Sequence, residues 1–77
     1  MFNKTNKFNN SNCNYNLTKR ELQVLSLIKE GFSNTEIAKK LHLSINTVKA
    51  HVSNIMQKLE VDDRTQAAIK AISDNII

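Results

Sequence analysis
From Leu17 onward the apolar residues fall into four short groups, each at helical spacing. These are Leu22, Leu25 and Ile28 with Val24 beside them, then Ile37, Ala38 and Leu41, then Val48, Val52, Ile55 and Leu59, and last Ala67, Ala68, Ile69, Ala71 and Ile72. Spacings of three and four residues put each group on one face of an α-helix. The punctuation between the groups agrees. Thr18-Lys-Arg-Glu21 and Ser33-Asn-Thr-Glu36 are capping boxes, in which the hydroxyl and the carboxylate each satisfy the other residue's backbone N–H. Leu17 stands where a staple residue would. Ser44 caps the third helix, over 45–59. Asp63 caps the fourth, with Gln66 at its third helical position. Gly31 ends the first helix, since only glycine takes the left-handed position without steric cost.

The link His42-Leu43 is too short for antiparallel helices, so the second and third must meet at a steep angle, with Leu43 under the corner. Short helix, tight turn and longer helix make a helix-turn-helix over about 34–58. Val61 closes the core after Leu59. Ser73 to Ile77 are expected to fray unless Ile76 and Ile77 fold back. The fold class is all-α: a four-helix helix-turn-helix domain over 17–77 with a disordered N-terminal arm.

That arm, residues 1–16, holds seven Asn and few apolar residues. Such a stretch cannot bury enough surface to offset its ordering entropy. Phe2, Phe8 and Tyr15 offer contacts to the domain or a partner, and Lys4 and Lys7 to phosphates.

Opposite its apolar stripe, the third helix carries Asn46, Ala50, Ser53, Asn54 and Gln57, with Lys49 on one shoulder and Thr47, His51 and Lys58 on the other. Short polar side chains between cations suit a helix in a DNA major groove, where the centre reaches base edges and the shoulders reach phosphates. A merely solvated polar face is the alternative. The fourth helix has more apolar residues than one inward face needs. A two-fold contact with a second copy would bury the surplus, whereas alanines that simply favour the helix would not need one.

Composition narrows the function. Seventy-seven residues with one Gly and no Pro make one small domain with no room for a walled substrate cleft. No run of about 18 apolar residues is present to span a membrane, and no apolar leader opens the chain. The single Cys13 can form no internal disulfide, which fits a reducing cytoplasm. His42, His51 and Cys13 are not at metal-ligand spacing. The polar residues are caps or share one helix face, so no nucleophile, base and orienter converge, and an enzyme is not expected. Net charge is +4. Between Ser33 and Lys58, Lys39, Lys40, Lys49 and Lys58 face Glu36 alone, which concentrates positive charge on the middle of the chain.

At these residues the chain resembles the LuxR-type, or GerE-like, helix-turn-helix domain. The resemblance is carried by Leu17-Thr-x-Arg-Glu21, Val24-Leu25, Gly31, Ser33-Asn34, Glu36-Ile-Ala38, Leu41, Ser44, Thr47-Val-Lys-x-His51, Ile55, Lys58-Leu-x-Val61, Arg64 and Gln66-Ala67. It runs without gaps over 17–68 and departs at Glu60, where family members often have Gly. The resemblance implies a sequence-specific transcriptional regulator that binds double-stranded DNA as a homodimer. It implies that Lys49, Ala50 and Ser53 face base edges with Asn54 close by. Asn34, Thr35, Thr47, His51 and Lys58 would touch the backbone, and Ala67, Ala68, Ala71 and Ile72 would form the dimer interface. Arg20 with Glu21 is similar to a structural ion pair or cap. Most members carry the domain after a receiver or sensing domain, and Met1 with the arm favours a stand-alone regulator here.

Chemistry qualifies these roles. Lys49 donates to guanine O6 or N7, Asn54 pairs with adenine, and Ala50 offers only a methyl to thymine. With so few strong readers, specificity should lean on DNA shape and on paired half-sites. His51 has an alternative as a shoulder residue packed over the second helix. Two other functions stand beside this one. A promoter-reading domain like the fourth region of a sigma factor would need RNA polymerase as its partner and no dimer. A helical protein-interaction module would leave DNA alone. No cofactor, metal, small-molecule ligand or membrane partner is expected. The expected location is the bacterial cytoplasm or nucleoid, or an organelle of bacterial descent.

Overall fold
The computed structural model describes residues 15–76. Disorder of the arm, and contacts from Phe2, Lys4, Lys7, Phe8 and Cys13, concern positions outside the described residues, as does Ile77. Four helices follow one another: α1 over Lys19–Lys29, α2 over Asn34–Leu41, α3 over Ile45–Leu59 and α4 over Arg64–Ser73. No strand occurs among the described residues.

Each helix starts where a short polar side chain captures the N–H three residues on. Thr18 and Ser33 do so within complete capping boxes, and Ser44 accepts from the Thr47 N–H. Asp63 accepts from the Gln66 N–H at 2.8 Å. The Gln66 amide reaches back one residue further than a capping box requires and accepts from the Asp62 N–H at 2.9 Å.

All four helices end alike, on a residue with positive φ: Gly31, His42, Glu60 and Asn75. Just beyond each, an N–H returns to a carbonyl five residues back, from Phe32 to Leu27, Leu43 to Ala38, Val61 to Met56 and Ile76 to Ala71. These bonds satisfy carbonyls that a helix end leaves without partners and turn the chain sharply. Ile76 folds back and is buried.

The turn at His42 sends α3 across α2, completing the helix-turn-helix. Ala38 is buried there and Leu43 is half-buried against the core. Val48, Val52, Ile55 and Leu59 form the inward stripe of α3, which packs on α1, α2 and α4. From α1 come Val24, Leu25 and Ile28. Leu22 is only half-buried, and the fully enclosed Val24 takes the place expected of it. Ile37 enters from α2 and Ala67 and Ala71 from α4, where the missing bulk lets α1 lie close.

The last two residues of the arm are among those described. Tyr15 and Asn16 form a turn. The Tyr15 hydroxyl donates to Asp74 Oδ2, and Lys70 Nζ stands 5.5 Å from the centre of its ring. The arm's one described aromatic thus closes over the end of α4.

Glu60 holds a left-handed conformation (φ 59°) that costs a side-chain-bearing residue about 1–2 kcal/mol. Glycine removes that strain while loosening the unfolded chain by about 0.4–1 kcal/mol. Glu60→Gly is therefore expected to raise stability by about 0.5–1 kcal/mol. Urea unfolding checks this, and an unchanged or lower midpoint would contradict the strain.

Candidate nucleic-acid interface
Burying one stripe of α3 leaves the opposite face outward. Asn46, Thr47, Lys49, Ala50, Ser53, Asn54 and Gln57 are all exposed there, and His51 is half-buried at the shoulder. No acidic residue occurs between Ile45 and Leu59, while Glu60, Asp62 and Asp63 lie beyond the helix. The face therefore presents polar donors flanked by Lys49, without a carboxylate to repel phosphate. Thr47 Oγ1 accepts from the Ser44 hydroxyl at 2.9 Å, which holds its rotamer at the start of the helix.

Thr35 and Asn34 stand at the start of α2. Thr35 is exposed. Asn34 is half-buried, and its Oδ1 accepts from Arg64 Nη1 at 2.6 Å. Arg64 Nη2 donates to the Phe32 carbonyl, also at 2.6 Å. Reading the sequence gave Arg64 no role beyond its place in a motif, because nothing in a linear chain indicates that the first residue of α4 reaches the first residue of α2. Phe32, in the same loop, lies under Lys40, whose Nζ is 5.3 Å from the ring centre.

Lys58 is tied down. Its Nζ donates to Glu21 Oε1 at 2.7 Å and to the Asn16 carbonyl at 3.1 Å. The partner of Glu21 is therefore Lys58 and not Arg20. Glu21 is buried, and its carboxylate also accepts from the Thr18 N–H. Burial pushes the Glu21 carboxyl's pKa up, but the hydrogen bonds from Lys58 and Thr18, together with the Lys58 charge, outweigh it and hold the pKa below the usual carboxylate value. Lys58 thus neutralises a buried acid, and its charge is already balanced on the flank of the face.

The residues expected at a dimer contact separate into two sets. Ala67 and Ala71 are fully enclosed in this domain's own core, where they can meet no second copy. Ala68 is half-buried and Ile72 is 63% exposed. Ile69, not among the expected residues, is 59% exposed on the same helix. Two isoleucines facing outward were visible in the sequence as the apolar surplus of α4, but which residues made up the surplus required knowing which face α1 covers.

Among the described residues no group of His, Cys, Asp and Glu is arranged to hold a metal ion, and no helix is long and apolar enough to cross a membrane.

Lys58→Ala is expected to lower stability by about 1–2 kcal/mol by leaving Glu21 buried without its cation, after allowance for the partial exposure of the lysine. Because the folded-state pKa of Glu21 is depressed, the stabilisation is present above the unfolded carboxylate pKa and is lost as pH falls through the folded value. Chemical denaturation across acid pH should show a weaker decline for Glu21→Gln than for the wild type. Parallel curves would remove Glu21 from the acid response.

Residues 15–71 match the family described as bacterial regulatory proteins, luxR family. The first matched residue is Tyr15, where the described turn begins. The chain is 59% identical over 61 residues to the response regulator protein VraR of Staphylococcus aureus, and equally to those of Staphylococcus saprophyticus and Staphylococcus epidermidis. Each alignment covers 79% of this chain and 29% of the relative, so the chain spans under a third of the curated relatives it matches. With four capped helices, an acid-free outward face on α3 and a family match over most of its length, the chain belongs to the luxR family of bacterial regulatory proteins.

Proposed function
We propose that this domain binds specific DNA sequences by laying α3 in the major groove, as a dimer on paired half-sites. The observation that carries the reading is the outward face of α3: Lys49, Ala50, Ser53 and Asn54 exposed together, free of carboxylates, on a helix held by its opposite stripe. Lys49 reads guanine and Asn54 adenine, while Ala50 approaches a thymine methyl. Thr47 and His51 on the shoulder, and Asn34 and Thr35 at the start of α2, contact the phosphate backbone and set the register. Lys58 serves mainly the fold, through Glu21.

The dimer surface in this reading is Ala68, Ile69 and Ile72, the part of α4 that the core leaves outward. The relatives are named as response regulators, which supports an output role in which this domain carries a signal to DNA in the cytoplasm.

Selection from a random duplex pool is expected to enrich an inverted repeat with half-sites about one helical turn apart. A single unpaired element would sink the dimer, and no enrichment at low salt would sink DNA binding. On the selected duplex, Lys49→Ala should cost about 1–3 kcal/mol and relax preference at one position. Equal binding of selected and random duplex by mutant and wild type would remove Lys49 as a reader.

Ile72→Glu changes an exposed side chain, so the domain should keep its stability to within about 0.5 kcal/mol. It should weaken binding to paired half-sites on the order of tenfold more than to one half-site. Equal losses on both, measured by gel shift, would move the dimer contact elsewhere.

A further inference from the structure
We propose that Arg64 is a positioning residue for DNA binding: its guanidinium fixes the Asn34 side chain so that the amide NH2 is presented to a phosphate. The inference rests on the DNA-binding reading above and names how one of its backbone contacts is set.

The argument is one of donors and acceptors. A guanidinium has N–H donors and no acceptor, so the atom it holds on Asn34 must be Oδ1, as the 2.6 Å contact has it. An asparagine amide can ordinarily turn over and exchange its oxygen for its nitrogen at little cost. Here the exchange would set an NH2 against a cation and leave both donors unpaired. Arg64 therefore selects one face of the amide, and the remaining polar atom, Nδ2, has only protons to offer. A phosphate oxygen is the chemistry that accepts them. An Asn34 turned the other way would present a carbonyl oxygen to the phosphate and be repelled.

The second nitrogen of the fork makes the placement rigid. Nη2 holds the Phe32 carbonyl while Nη1 holds Asn34, so the guanidinium brackets the N-cap Ser33 between them. Two charge-assisted bonds to separate acceptors fix orientation as well as distance, which a lysine ammonium on a flexible stem does not. The first residue of α4 is thereby tied to the first residue of α2. Whatever shifts α4, such as pairing of Ile69 and Ile72 with a second copy, acts on the amide that meets the backbone.

The test is a double-mutant cycle on the full chain, with the selected duplex and a random duplex at fixed salt. Arg64→Ala is expected to weaken both about tenfold, as the loss of one oriented charge-assisted contact would. In an Asn34→Ala background the same change should cost less than about twofold, because nothing remains for Arg64 to orient. Arg64→Lys should fall between. Asn34→Asp supplies a variant that keeps the fold, since the carboxylate still accepts from Arg64. It should melt at or above the wild-type temperature yet bind at least about tenfold more weakly, having lost the donor and gained a charge that repels phosphate. Wild-type affinity in folded Arg64→Ala, an Arg64→Ala loss just as large without Asn34, or wild-type affinity in Asn34→Asp would each overturn the proposal. Failure of the wild-type chain to bind any duplex would overturn the DNA-binding reading itself, and this inference with it.

Discussion
The rest of the structure depends on the three-residue turn between Leu41 and Ile45. His42 reverses the chain in a left-handed conformation, and the Leu43 N–H closes back on the Ala38 carbonyl. With so little chain between them, α2 and α3 cannot lie side by side, and α3 is thrown across the domain. There its stripe of Val48, Val52, Ile55 and Leu59 meets all three other helices. A helix held so fully on one side has no freedom on the other. Its polar face is fixed outward as rigidly as its apolar face is fixed inward, which is the condition for presenting short side chains to a duplex groove.

A domain this small buries a modest fraction of its surface, so its helix ends must be satisfied locally. The same device does this four times, with a short polar cap in front and a left-handed residue behind. Only one of the four left-handed positions is glycine. At His42, Glu60 and Asn75 the conformation is imposed by the hydrogen bonds and the packing beyond it, with Leu43, Val61 and Ile76 each turned back towards the core. Glu60, where the family often places Gly, thus adopts the conformation glycine would have favoured, with its strain stored locally.

Polar side chains then join the elements at the flanks of the core. Glu21 and Lys58 tie α1 to α3, and Lys58 also reaches the turn at Asn16. Arg64 ties α4 to α2 through Asn34 and Phe32. Tyr15 closes on Asp74 and Lys70 at the far end of α4. Each joins residues 30 or more positions apart, so together they hold the angles between helices that the apolar core, being non-directional, sets only loosely.

The sequence by itself determined the four helices, their caps, the tight turn and the two faces of α3. These follow from spacing and from side-chain-to-backbone bonds spanning three or four residues. Lys49, Ala50, Ser53 and Asn54 were legible for the same reason, since the face opposite a strong apolar stripe must look outward. The tertiary structure alone decided which apolar residues of α4 are core and which are surface. Ala67 and Ala71 turned inward because α1 covers that side, leaving Ile69 and Ile72 exposed. It alone decided that Lys58 answers a buried carboxylate, and that Arg64 hydrogen-bonds Asn34. Such pairings join residues 30 or more apart, and no periodicity records them, because they exist only once the core has fixed the helices against one another.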